Sequence, residues 1–227
     1  MKKSVLFVIA AVIAFCMTSC GEQVKKENLT DNLVMFSTTT PEKTKVCGVE
    51  TPDGKILIPA EYESISLFGN YILAENGLDR YLYTLDGKKL IDEPVSMIFD
   101  NEKYISLYGN GTSYYIFKDS GRVAGPYKNA GDHMNLLFAE SDKAEVITDE
   151  GATLVSGDKI IMLYSKADQK YYFVVINGNE AKAHNRDGSE LFALNVKLLD
   201  KLPQHGWSCG ENLKAVSTRN EIKAFKK

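Results

Sequence analysis

The sequence predicts an all-β fold built from tandem units of about 33 residues. Short runs rich in aromatic and β-branched residues recur from Val46 onward, and Gly, Asn and Asp bound them. No helix-period stretch of twelve residues stands out beyond the N-terminal apolar run. Glycines that follow the strand-like runs recur at intervals of 33, 34, 30 and 37 residues, at Gly54, Gly87, Gly121, Gly151 and Gly188. We therefore expect about five units of three short strands, each buried partly by its neighbours.

The N-terminus has the layout of a bacterial secretory signal. A basic head is followed by an apolar run of 11 residues, Val5 to Phe15, which is too short to span a bilayer. Thr18 and Ser19 before Cys20 resemble a lipobox, in which the peptide is cut before the cysteine and the thiol carries a diacylglycerol. This predicts a signal peptide at 1–19 and a protein lipid-anchored in the bacterial cell envelope, in the outer membrane. The alternative is an ordinary signal peptide with a chance cysteine.

Residues 20–45 are expected to carry the lipidated cysteine and a flexible tether, because they are mostly polar and lack periodicity. A possible first strand lies at 33–36. The β-repeat domain is expected at 46–227. Within it, Asp-Gly pairs such as Asp53-Gly54 suit two-residue hairpin turns. Leu191 to Leu202 is the best helical candidate, and Leu213 to Phe225 reads as a final hairpin.

The stretch from Gly48 to Ile65 resembles one unit of the WG-containing repeat family. The matching features are Gly48-Val49, Asp53-Gly54-Lys55, Ile58-Pro59, Tyr62 and Ile65. Later units keep part of the pattern, as in Gly121-Arg122 and Gly125-Pro126-Tyr127, but the naming Trp is absent from every unit and Cys47 stands before Gly48. The resemblance implies a β-propeller-like fold or, alternatively, an open twisted β-array. It implies no general chemistry.

Cys47 and Cys209 are the two cysteines that remain beyond the signal and the lipidation site. In an exported protein such a pair can oxidise, so a disulfide between them is predicted. It would tie the first unit to the last. The alternative is two buried free thiols, because cysteine is among the most frequently buried residue types. The Cα atoms of the pair would have to lie within about 7 Å for the bond to form.

The composition and motifs point away from several chemistries. The net charge of −3 does not suit a nucleic-acid groove. His133, His184 and His205 lack close metal-ligand spacing, so no metal, cofactor or catalytic residue is predicted. Glu61 and Glu63 share a strand face as glycosidase carboxylates could, but they fit a solvated turn after Pro59 better.

Tyrosines are the most prominent candidates for binding. Adjacent tyrosines on a strand face opposite sides, so one of each pair can point outward. Tyr115 and Tyr172 are therefore predicted as a possible binding surface. The leading hypothesis is a non-enzymatic binding or scaffolding domain whose partner is another envelope protein or a glycan. The alternatives are a hydrolase acting on envelope or extracellular glycans and a purely structural role.

Overall fold

The computed structural model describes residues 24–227, and this part of the chain is almost entirely β. It forms 21 strands, one α-helix of four residues and one short 3-10 helix. The prediction of an all-β fold is therefore confirmed. The predicted signal peptide at 1–19 and lipidation of Cys20 lie outside the described residues. Within residues 24–227, no helix has the length and apolar character needed to cross a bilayer.

The chain divides into two compact units with the boundary after Ile65. The first unit contains sheet 1, in which four strands pair in chain order and antiparallel. Its strands are β1 Lys25–Thr30, β2 Leu33–Thr39, β3 Lys45–Glu50 and β4 Ile56–Tyr62.

Strand β1 overturns the predicted tether from Lys25 onward. The possible strand at 33–36 is confirmed and extends to Thr39 as β2, and β1 pairs along it. Most side chains of β1 are exposed, so backbone hydrogen bonds to β2 hold it. A polar edge strand of this kind carries no apolar alternation, which is why composition alone suggested a tether.

The second unit contains four further sheets, apart from Ser64 and Ile65 of their first strand, which precede the boundary. In order along the chain, sheet 2 has three strands, sheets 3 and 4 have four each, and sheet 5 has six. The strands of sheets 2 and 3 are β5 Ser64–Phe68, β6 Tyr71–Asn76, β7 Asp79–Thr84, β8 Met97–Asp100, β9 Tyr104–Gly109, β10 Thr112–Phe117 and β11 Val123–Tyr127. Those of sheet 4 are β12 Asn129–His133, β13 Leu136–Glu140, β14 Ala144–Thr148 and β15 Thr153–Gly157. Those of sheet 5 are β16 Lys159–Ser165, β17 Lys170–Asn177, β18 Glu180–Asn185, β19 Glu190–Leu194, β20 Trp207–Cys209 and β21 Leu213–Thr218.

Sheets 1, 3 and 4 contain four strands where three per unit were predicted. The fourth strand of one sheet and the first strand of the next are separated by one residue, as at Lys128 between β11 and β12. Asp158 is likewise the single residue between β15 and β16. In the sequence such a pair of strands looks like one run, so the change of sheet is not visible in the pattern.

Four of the five repeated glycine turns, those at Gly54, Gly121, Gly151 and Gly188, join the third and fourth strands of their sheets, whereas the turn at Gly87 follows β7, the third strand of the three-stranded sheet 2. In the first unit the Thr51 N–H donates to the Lys55 carbonyl at 2.9 Å, and the Gly54 N–H donates to the Thr51 carbonyl at 2.9 Å. Gly54 has φ +88°. This is a three-residue loop with a glycine in the left-handed region, not the predicted two-residue turn. The same two bonds recur around Gly87, Gly151 and Gly188.

Within the second unit, each sheet packs against the next one along the chain. Separate apolar clusters fill the spaces between sheets 2 and 3, between sheets 3 and 4, and between sheets 4 and 5. Phe117 and Phe138, both fully buried, belong to the second and third of these clusters. Burial of both faces explains why strands such as β10 and β13 have almost no exposed residues.

The far face of sheet 5 is covered by two short helices, one between β19 and β20 and one after β21. Helix α1, Val196–Leu199, and the 3-10 helix Ile222–Phe225 pack on this face through Leu199, Ile222 and Phe225. Two expectations are corrected here. The helical candidate 191–202 begins as strand β19, and the expected final hairpin is a strand, β21, followed by the 3-10 helix. Strand β21 pairs in parallel with β16 and antiparallel with β20.

Candidate functional site

The two tyrosines predicted as a binding surface are buried. Tyr115 is 2% exposed and Tyr172 is 7% exposed, so the prediction is wrong for both side chains. Tyr115 lies on β10 inside the cluster between sheets 3 and 4, where its ring meets the Tyr104 ring edge-on at 5.4 Å. Tyr172 lies on β17 and faces the covered side of sheet 5. In each pair of adjacent tyrosines, strand alternation places the two rings on opposite faces of the strand. It does not indicate that both faces are covered by neighbouring elements.

The predicted disulfide is also contradicted, because Cys47 and Cys209 are free thiols. Within the first unit the Cys47 Sγ lies 3.8 Å from the Glu63 carbonyl oxygen. Within the second, the Cys209 Sγ lies 3.9 Å from the Phe138 carbonyl oxygen. Burial, and secondarily the charge of Glu140, raise the pKa of the Cys209 thiol. A thiol in this environment stays protonated and is a poor nucleophile.

The remaining candidate groups do not converge. The three histidines have separate environments: His133 stacks on Trp207 at 4.7 Å, the His184 Nδ1 lies 2.9 Å from the Gly188 carbonyl oxygen, and His205 is exposed. Glu61 and Glu63 are both exposed. Among residues 24–227, no group of three or more His, Cys, Asp or Glu side chains is arranged to hold a metal ion.

A different surface stands out beside strand β8, at the edge of sheet 3. Met97 pairs with Tyr108 and Phe99 pairs with Ser106 across the β8–β9 ladder. Directly opposed residues share a sheet face, so Met97 and Phe99 lie on the same face as Tyr104. That face packs on sheet 4 through Tyr104. At the β8 edge it is uncovered, because Met97 is 50% exposed and Phe99 is 52% exposed.

Two clefts adjoin the two ends of β8. The cleft at the amino end of β8 has a volume of about 410 Å³, and its lining includes Met97, Tyr108 and Ala130. The cleft just beyond its carboxyl end has a volume of about 550 Å³, and its lining includes Tyr104 and Asp132. We call the whole surface the β8 groove, defined by Met97, Phe99, Asn101, Tyr104, Tyr108, Ala130 and Asp132.

Hydrogen bonds and ring contacts order the floor of the groove. The Tyr104 hydroxyl donates to the Asp132 carboxylate, and the Tyr108 and Tyr115 hydroxyl oxygens lie 3.4 Å apart. The Phe99 ring meets the Tyr108 ring edge-on at 5.7 Å. Rings held in this way can contact a ligand with little further loss of conformational entropy.

The tyrosine hydroxyls of this region are neutral donors. Burial is the main cause that raises the pKa of Tyr104, and the hydrogen bond to Asp132 adds to it. The pKa of Tyr115 is raised by burial and then by Tyr108. Both hydroxyls therefore keep their protons at neutral pH and cannot act as general bases. The groove is suited to contact and hydrogen bonding, with no activated group on its floor.

The two ends of the groove differ in charge. The cleft beyond the carboxyl end of β8 is lined by three carboxylates, those of Glu102, Asp132 and Asp149, and by one ammonium group, that of Lys103. At the amino end the charged side chain is Lys128, which lies 3.7 Å from the Asp142 carboxylate. The carboxyl end of the groove therefore carries a net negative charge.

This surface is not apparent from the sequence because β8 is short and its residue pattern is uninformative. The stretch Met97-Ile98-Phe99-Asp100 is apolar at three adjacent positions and does not alternate. Ile98 packs against the cluster between sheets 2 and 3, whereas its neighbours point the other way and are exposed. The features of the sequence that indicate this surface are Met97 and the aromatic Phe99, which precede Asp100 and a turn.

Comparisons with known proteins give no family. No family model matches the chain, and no curated protein matches it. Among solved structures, the chain is similar to the "AfRom2 CNH domain", with 16% identity over 71% of this chain and 63% of that one and a TM-score of 0.23. It is also similar to the Pan2 WD40 domain of Neurospora crassa, with 10% identity over 74% of this chain and 63% of that one and a TM-score of 0.23. The chain thus spans less than two thirds of each of these structures, and such scores assign it neither a closed ring nor a function.

Proposed function

We propose that the protein is a cell-envelope lipoprotein whose β domain is a non-enzymatic binding or scaffolding module, with the β8 groove as its contact surface. The observation that carries this proposal is the exposure of Met97 and Phe99 on a sheet face beside ordered tyrosines. Methionine and aromatic residues are enriched in protein interfaces, whereas isolated exposed apolar residues need no explanation. Here the two lie two positions apart on the same face of one strand, and Met97 lines one of the two clefts.

The rival activity, hydrolysis of glycans, finds less support at this surface. Such hydrolysis needs one carboxyl group as acid and a second as base or nucleophile. Asp132 in the groove accepts a hydrogen bond from Tyr104, and Glu145, which lies outside the groove, accepts one from Tyr127 at 3.2 Å. Both carboxylates thus have structural partners in the cluster between sheets 3 and 4.

The lipid anchor supports the envelope assignment through the sequence alone. Met1 to Gly21 has the order of a lipoprotein signal, with Cys20 as the acylated residue. We propose further that the units are degenerate WG-type repeats.

Photo-cross-linking in whole cells tests the groove. Phe99 is replaced by p-benzoylphenylalanine in the full-length lipoprotein, and Leu78, an exposed residue on the β6–β7 turn, is replaced in a matched control. We expect a discrete adduct after irradiation from position 99 and none from position 78. An adduct pattern identical at the two positions, or no adduct at position 99, would contradict the binding role of the groove.

Membrane fractionation tests the anchor separately. The full chain is expected in the membrane fraction and to incorporate a labelled fatty acid. Cys20→Ser should lose both properties. A Cys20→Ser protein that still pellets with membranes and resists carbonate extraction would contradict the lipoprotein assignment without bearing on the groove.

A further inference from the structure

Strand β8 has a free backbone edge. It is an edge strand of sheet 3, and within that sheet it pairs only with β9. The Asn101 N–H donates to the Tyr104 carbonyl at 2.9 Å, which sets the phase of the ladder. Because hydrogen-bonded pairs alternate, the backbone groups of Met97 and Phe99 point toward β9 and those of Ile98 and Asp100 point outward. Within the described part of the chain, these outward groups pair with no other strand.

The side chains of β8 would give an added strand a defined environment. Met97 and Phe99 project on the groove side and are half exposed. A strand paired to β8 would place alternate side chains beside these two residues. Its backbone would satisfy the outward N–H and C=O groups of Ile98 and Asp100. Added strands of this kind obtain affinity from main-chain bonds and specificity from alternate side chains.

The negative charge at the carboxyl end of the groove favours a basic residue at one end of the added strand. Glu102, Asp132 and Asp149 line the cleft that follows β8, against one lysine, Lys103. A basic residue placed here would face two uncompensated carboxylates. In an antiparallel arrangement the amino end of the added strand lies at the carboxyl end of β8. The complementary segment is therefore basic at its amino end and apolar at alternate positions after it.

We propose that β8 binds an extended peptide segment of a partner protein as an additional antiparallel strand. The segment carries Lys or Arg at its amino end, over Glu102 and Asp132, and apolar residues at the positions that contact Met97 and Phe99. This assignment deepens the proposed function and rests on the groove being a binding surface. It identifies the partner as a protein with an accessible strand-forming segment.

Peptide binding to the full-length protein in detergent tests the side-chain part. The probe is a fluorescein-labelled peptide of sequence KKTVTVTV, blocked at both ends, and its binding is followed by fluorescence anisotropy. The matched peptides are EETVTVTV and TVTVTVKK. We expect the first peptide to bind at least tenfold more tightly than either of the others. Equal affinity for all three, or no binding of any at 1 mM, would overturn the assignment of a basic-ended strand.

A backbone substitution tests the strand pairing itself. Asp100→Pro removes the outward N–H without removing a bond of the β8–β9 ladder. Asp100→Ala is the matched control, because both variants lose the ion pair with Lys118, whose Nζ lies 2.5 Å from the carboxylate. We expect Asp100→Pro to weaken binding of KKTVTVTV at least tenfold relative to Asp100→Ala. Circular dichroism melting confirms that both variants are folded.

The outcomes separate this inference from the proposed function. If Asp100→Pro and Asp100→Ala bind the peptide equally, strand addition is refuted. If no peptide binds but position 99 still gives a cross-link in cells, the groove is a binding surface for another ligand class and only the peptide assignment falls. If position 99 gives no cross-link, the proposed function itself falls.

Discussion

Gly48 is the position where a single added methyl group should disturb the first unit most clearly. A Cβ on Gly48 would lie 2.7 Å from the Ile58 carbonyl oxygen and 2.8 Å from the Ala60 backbone nitrogen. It would also lie 2.7 Å from the Phe36 ring, which can rotate away. The two backbone contacts cannot be relieved in this way. They come from the irregular β3–β4 pairing, whose register shifts on either side of Val49.

The expected cost of Gly48→Ala follows from two opposing effects. Overpacking against fixed groups costs about 1–3 kcal/mol. The loss of glycine flexibility in a strand returns about 0.5–1 kcal/mol. We therefore expect a net destabilisation of about 1–2 kcal/mol, which corresponds to roughly a tenfold increase in local opening of sheet 1.

Hydrogen–deuterium exchange measured by mass spectrometry checks this value on the peptides that cover β3 and β4. The matched control is Gly131→Ala on β12, where the new Cβ would meet the Trp207 ring at an ordinary 3.5 Å. Exchange in sheet 4 should be unchanged or slower in that variant. The reasoning is refuted if Gly48→Ala protects β3 and β4 as well as the wild-type chain does.

Three further predictions concern the second unit. Phe138→Ala should lower the free energy of unfolding of the second unit by about 3–5 kcal/mol, because the Phe138 ring is fully buried. A urea titration followed by the fluorescence of Trp207, whose ring centroid lies 5.1 Å from that of Phe138, measures the change. The pKa of Asp168 is lowered, chiefly by the hydrogen bond that its carboxylate accepts from the Ile222 N–H, so its stabilising contribution is present above about pH 4 and is lost as the pH falls through the lowered pKa. The difference in urea midpoint between wild type and Asp168→Asn should accordingly be larger at pH 7 than at pH 3, and an equal difference at both would contradict the prediction. Reductant should leave the melting temperature unchanged because both thiols of the β domain are free, whereas a fall of several degrees would indicate a disulfide.

The sequence predicted the parts of the fold that have a strong local signal. The turn glycines mark four hairpin loops and the turn after β7, because the left-handed conformation favours Gly, as at Gly54 and Gly188. Runs such as β10 and β17 are recognisable from their aromatic and β-branched residues. By contrast, β1 and β8 are held by pairing along one edge, and their side chains carry little information about that pairing.

The candidate site could not be predicted from the sequence for a related reason. Which face of a strand is covered depends on the neighbouring sheet, and that sheet is formed by the adjacent sequence repeat. Tyr115 looked available because Tyr114 precedes it, yet both side chains are buried, each in the cluster on its own side of sheet 3. Phe99 lies beyond the area that sheet 4 covers and is 52% exposed.

The parallel pairing of β16 with β21 has a consequence for the order in which the chain folds. Ile160 pairs with Leu213, so β16, the first strand of sheet 5, can form its parallel pairing only with a strand that is synthesised 53 residues later. Sheets 3 and 4 pair only strands adjacent in the chain and can form as soon as their own residues emerge. Sheet 5 remains incomplete until the segment 213–218 is present. Its completion is thus the last step in the maturation of the second unit, and a nascent chain stalled before residue 213 would retain an unfilled edge on β16.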